Sequence, residues 1–151
     1  MNFTINKEVL LNNLLVAQKA LSTKTPAPYL QGIKLEIYQN ELIMITSNSD
    51  ISIKLSLKDE SLHVEEVGEV LIPGKYFVEL IRKLDGEVIS LSVVDDNVLK
   101  IVAGKSDITL NMLNVEDYPH IDFVMNDNPI KIESKVMKSI IKQTTFATSA
   151  I

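Results

Sequence analysis

Apolar and polar residues alternate from the start of the chain: Phe3 and Ile5 fall between Asn2, Thr4 and Asn6, the period of a strand with one buried face. The period then changes. Leu10, Leu14, Ala17 and Leu21 recur at helical spacing and mark one buried side of a helix, with Asn6 placed to act as its N-cap. Residues 22–28, Ser-Thr-Lys-Thr-Pro-Ala-Pro, read as an exposed loop, because the two prolines remove backbone donors and exclude helix.

Strands are predicted at about 30–38, 41–47 and 50–58, the last alternating Ile51, Ile53, Leu55 and Leu57 with Ser52, Lys54 and Ser56, as in a meander. Val70-Leu71-Ile72 is a short apolar strand, and Pro73 suits the first turn of a second helix. Phe77, Leu80, Ile81 and Leu84 form that helix's buried stripe, with Lys75, Glu79 and Arg82 on another face and a stop near Asp85-Gly86. Strands at about 87–94, 97–103 and 106–113 follow, with Asp95-Asp96 and Gly104-Lys105 as hairpin turns.

Residues 114–128 read as a connection, after which the pattern begins again. Ile130-Lys-Ile-Glu-Ser-Lys-Val-Met followed by Ile140 and Ile141 repeats the logic of Phe3-Thr-Ile-Asn-Lys-Glu-Val-Leu followed by Leu14: strand, polar cap, amphipathic helix. This divides the chain into residues 1–125 and residues 126–151. One strand and one helix bury too little surface to stand alone, so the expectation is that the protein continues beyond Ile151.

Composition narrows the class. Of the 151 residues 46% are hydrophobic and 23% charged, a soluble globular balance. Without cysteine there is neither a disulfide nor a thiolate metal site, and the opening residues lack the apolar run of a signal peptide. No stretch approaches the ~20 consecutive apolar residues of a membrane span, so no membrane partner and a cytoplasmic location are expected. The net charge of -5 neither supports nor excludes nucleic acid, since an acidic protein can still present one basic lining.

Nothing assembles into a catalytic or metal site. Gly104-Lys105-Ser106 resembles the tail of a phosphate-binding loop, but Leu99 stands where that motif needs a glycine, and the tripeptide lies between strands. His63 and His120 have no serine, carboxylate or second histidine at a useful spacing, and Glu65-Glu66 and Asp95-Asp96 read as solvated pairs. No catalytic residues, metal or cofactor are expected.

Several segments in order resemble the bacterial DNA sliding clamp, the beta subunit of DNA polymerase III. They are Met1-Asn2-Phe3-Thr4-Ile5 with Leu10-Leu11; Pro28-Tyr29-Leu30-Gln31-Gly32-Ile33; Ile72-Pro73-Gly74-Lys75-Tyr76-Phe77 with Leu80-Ile81-Arg82-Lys83-Leu84; and Asp117-Tyr118-Pro119. Tyr29 departs from a commonly aliphatic position, and Asp85 from one where proline often stands.

The resemblance implies an α+β DNA clamp fold, with antiparallel sheet layers outside and two amphipathic helices per domain facing a central DNA hole. Residues 1–125 would be the first clamp domain and residues 126–151 the opening strand and helix of the second. It implies a non-enzymatic processivity factor for DNA replication: a ring of two protomers, head to tail, that slides on double-stranded DNA without reading sequence. Polymerase and clamp loader would bind through domains absent from this chain. Lys24 and Lys75 would contact DNA, with Arg82, Lys83 and Lys19 as further candidates, while Lys105, Ile108 and Leu110 would meet the other protomer. Two rivals stay open at this point. A strand-rich binding module explains the strands but not the paired helices, and an enzyme fragment would need catalytic residues beyond Ile151.

Overall fold

The computed structural model describes residues 1–22, 27–124 and 130–148. Its contacts divide into two units, Met1–Ile121 and Asp122–Ile151.

The first unit holds two antiparallel sheets and two helices. Strand β1 (Asn2–Asn6) leads into helix α1 (Lys7–Ala17), and the Asn6 side chain accepts from the Glu8 and Val9 amides at 2.9 and 3.2 Å, the predicted cap. The helix ends earlier than the spacing implied: residues 18–20 tighten into a 3-10 turn, and Leu21 follows in extended conformation, still packed on the core. Leu30 and Gln31 likewise belong to a 3-10 turn, so the next strand starts later than expected.

Strands β2 (Gly32–Tyr38), β3 (Glu41–Ser47) and β4 (Ser52–Leu57) form the predicted meander. β5 (His63–Glu66) was not legible in the sequence, because Val64 is its one apolar residue. β6 (Gly68–Pro73) precedes helix α2 (Gly74–Lys83), for which Pro73 serves as the cap residue. β7 (Val88–Asp95), β8 (Val98–Ala103) and β9 (Ser106–Asn111) complete the unit. The β7–β8 turn falls on Asp96-Asn97, one residue later than predicted, because the register slips between Val93 and Asp95 and Asp95 pairs with Val98. The β8–β9 turn at Gly104-Lys105 is as predicted, with Gly104 at φ 56°.

One sheet runs β5-β1-β7-β8-β9 and the other β4-β3-β2-β6. Register carries apolar residues across each sheet on one face: Phe3 opposite Leu91, Leu91 opposite Ile101, Ile101 opposite Ile108, and in the second sheet Leu35 opposite both Met44 and Val70. Leu10, Leu14 and Ala17 of α1 and Phe77, Val78 and Ile81 of α2 close over these faces and are fully buried. Each such leucine or phenylalanine contributes about 1.5–3 kcal/mol of transfer free energy, so the two helical stripes hold the layers together.

In the second unit helix α3 (Ser134–Thr144) forms, with Val136, Met137, Ile140 and Ile141 all exposed. The strand predicted from Ile130 does not form at residues 130–133. A strand needs a ladder partner for its backbone groups, and none lies in that unit among the described residues.

Candidate nucleic-acid interface and strand edge

Helix α2 turns Phe77, Val78 and Ile81 into the core and leaves Lys75, Tyr76, Arg82 and Lys83 exposed. Arg82 and Lys83 sit in its last turn, where cations complement the negative end of the helix dipole. Lys75 sits in the first turn with no acidic residue beside it, at the end where a cation is disfavoured by about 0.3–1 kcal/mol.

The start of α2 packs tightly against the end of the α1 segment: a Cβ on Gly74 would lie 2.5 Å from Leu21 Cδ1. Beside this contact is a cleft of about 540 Å³, lined by Gln18, Leu21, Ser22, Gln31, Lys75 and Tyr76 among others. Lys19 is exposed and adjacent to Gln18, so Lys19 and Lys75 share this end of the helix pair. Arg82 and Lys83 lie toward the other end, as α2 is about 15 Å long. Arg82 is bonded to Glu79 at 2.8 Å, which offsets part of its charge. Lys24 lies outside the described residues.

Tyr76, 73% exposed, is the residue that periodicity alone did not single out. Its signal was present, since a tyrosine beside Lys75 on the polar side of a clean apolar stripe has no packing role.

The last strand is an edge. β9 pairs only with β8 in the sheet order, through Ile108 opposite Ile101 and Leu110 opposite Leu99. Ile108 and Leu110 are half-buried and pack on the unit's own core, so they serve that core as well as any surface beyond the edge. Lys105 is exposed at the turn that opens the strand. Lys100 reaches Asp107 at 2.9 Å on the opposite, solvent face.

His63 and His120 are exposed and lie on separate elements. Among the described residues no group of three or more histidines and carboxylates could hold a metal ion, and no helix is long and apolar enough to cross a membrane.

A family model described as DNA polymerase III beta subunit, N-terminal domain, matches residues 1–122. The chain belongs to this family. A beta sliding clamp from Staphylococcus epidermidis is 37% identical over 154 residues, covering 99% of this chain and 41% of that protein, and one from Staphylococcus aureus is 34% identical over the same span. Among solved structures, the DNA polymerase sliding clamp of Bacillus subtilis superposes with a TM-score of 0.93 at 30% identity, covering all of this chain and 41% of that one. The DNA polymerase III beta chain of Streptococcus pneumoniae gives 0.92 at 28%, with 99% and 41% covered. The chain thus spans about 41% of the length of the sliding clamps it matches. Its antiparallel sheets and two packed helices are the beta-subunit fold.

Proposed function

We propose that this chain supplies the first domain of a DNA sliding clamp, with residues 126–151 opening the second. The clamp is a ring of two protomers around duplex DNA that slides without reading sequence and tethers the replicative polymerase and its loader in the cytoplasm. It performs no chemistry of its own.

The observation that carries this reading is the superposition of the whole chain on the Bacillus subtilis clamp at a TM-score of 0.93 and 30% identity. Two features agree with it. The cations Lys19, Lys75, Arg82 and Lys83 project from the helix pair, where contacts to phosphate would be sequence-independent and salt-sensitive, and Lys24, outside the described residues, is a further candidate in the same proposal. The open side of β9, with Lys105, Ile108 and Leu110, is an edge that a neighbouring domain would complete in a head-to-tail ring.

The test is topological. The full-length protein carrying this chain, loaded on nicked circular DNA, should stay bound at high salt and be lost once the circle is linearised. Equal retention on circle and linear duplex would overturn the reading.

A further inference from the structure

A second open edge lies on β6, in the other sheet from β9 and beside the segment that follows that strand. β6 pairs with β2 along one side, and on its other side the Leu113 amide donates to Leu71 O at 2.8 Å. Backbone groups in an antiparallel strand point alternately toward and away from a given neighbour. Glu69, two residues before Leu71, therefore turns its N–H and C=O to the same open side. Pro73, two residues after, has no N–H to leave unpaired there.

Clefts open on both sides of Glu69. One, of about 520 Å³, is lined by Glu36, Tyr38, Val67 and Gly68; the other, of about 100 Å³, by Asp96, Asn97, Met112 and Leu113. Tyr38 and Val67 are 51% and 52% exposed, and they flank the larger cleft from the end of β2 and from the residue between β5 and β6. Glu36, Glu69 and Asp96 line the two clefts, and no lysine or arginine does so among the described residues. Lys34 reaches Glu36 at 3.0 Å and Glu69 at 2.9 Å from the sheet face, and the Met1 ammonium beside Gly68 is bonded to Glu66 at 3.3 Å, so four carboxylates, Glu36, Glu66, Glu69 and Asp96, stand against two ammonium groups. The field there repels phosphate and attracts cations.

We propose that the β6 edge at Glu69 is a docking site for a short extended segment of a partner protein, rich in lysine or arginine. The segment pairs with the Glu69 backbone, seats an apolar side chain between Tyr38 and Val67, and sets its cations against Glu36, Glu69 and Asp96. This site is independent of the DNA reading, since it uses another edge and the opposite charge.

The test uses the 151-residue chain labelled with 15N and the blocked peptide Lys-Val-Lys-Val-Lys, with Glu-Val-Glu-Val-Glu as control. Amide signals of Tyr38, Val67 and Glu69 should shift with the lysine peptide and stay still with the glutamate peptide. N-methylating one alternate set of peptide amides should weaken binding about tenfold while the other set leaves it unchanged, because only one set faces the strand. Glu69→Gln, which leaves Lys34 its bond to Glu36, and the double variant Tyr38→Ser with Val67→Ser should each weaken binding about tenfold while the folded chain keeps its amide spectrum away from the β6 edge. Shifts confined to β9 or α3, equal binding of the two peptides, or indifference to both methylation sets would overturn the proposal.

Discussion

The Thr46 hydroxyl donates to the Ala17 carbonyl oxygen at 2.7 Å, and both residues are fully buried. Ala17 is the last residue of α1, where helix carbonyls lack partners inside the helix. The bond therefore satisfies a buried acceptor and ties the helix end to the second sheet. Thr46→Val keeps the shape and removes the donor, and it should lower stability by about 1–3 kcal/mol. The readout is the urea midpoint at unchanged slope, and an unmoved midpoint would show that water replaces the hydroxyl.

Gly86 and Gly104 meet backbone to backbone. A Cβ on Gly86 would lie 2.8 Å from Gly104 N, and one on Gly104 would lie 2.6 Å from Asp85 O, with φ at 136° and 56°. Gly104→Ala should destabilise the unit by about 1–3 kcal/mol through strain and the clash together. Calorimetry would decide it, and a melting temperature equal to the parent's would contradict the close approach.

Tyr118 is 7% exposed, and its hydroxyl has no hydrogen-bond partner among the described residues. Burial pushes its ionisation up to about 12. An unfolded tyrosine loses its proton near pH 10, so above that pH the unfolded state binds fewer protons and stability falls as pH rises toward 12. Tyr118→Phe should be at least as stable at pH 7 and should show a shallower decline between pH 10 and 12. Tyr38, raised by Glu36, titrates in both proteins and cancels in the comparison. A steeper decline in the variant would contradict the buried phenol.

On the proposed DNA surface, Lys75→Ala in the full-length protein carrying this chain should reduce the slope of log affinity for DNA against log salt by about one phosphate contact. Arg82→Ala should change it less, since Arg82 is already bonded to Glu79. Equal slopes for Lys75→Ala and the parent would remove Lys75 from the DNA surface.

Lys105 and Leu110 should separate protomer contact from folding. Lys105→Glu alters only an exposed turn, so sedimentation should show weaker association at unchanged melting temperature. Leu110→Lys should lower both, because Leu110 packs on its own core and burying an unpaired charge is costly. Unchanged association of Lys105→Glu would exclude that residue from the edge contact.

What the sequence disclosed was local. Phe3 and Ile5, the Asn6 cap, the stripe from Phe77 to Leu84 and the Gly104 turn each declare themselves within a few residues, since period, cap and φ are near-neighbour properties. The early end of α1 and the shifted Asp96-Asn97 turn depend on how strands align across the sheet. Thr46 reads as one more strand residue until Ala17 is placed above it. β5 carries Val64 alone, and what makes it a strand is β1 beside it. The cleft at Gln18, Gln31 and Tyr76 joins three separate segments, which no spacing rule connects.

The pairing of β1 also governs how the chain is made. Asn2–Asn6 is hydrogen-bonded to β5 on one side and to Val88–Asp95 on the other, so the first of this unit's strands to leave the ribosome is an interior strand of its sheet. At about 5–20 residues per second, β1 and the apolar side of α1 wait on the order of ten seconds for β7 to emerge. During that interval Phe3 and Ile5 lack the β7 and β8 neighbours that complete their sheet. Nascent chains halted before β7 clears the exit tunnel should therefore be protease-sensitive and held by chaperones, and resistance should appear in one step once β9 is free.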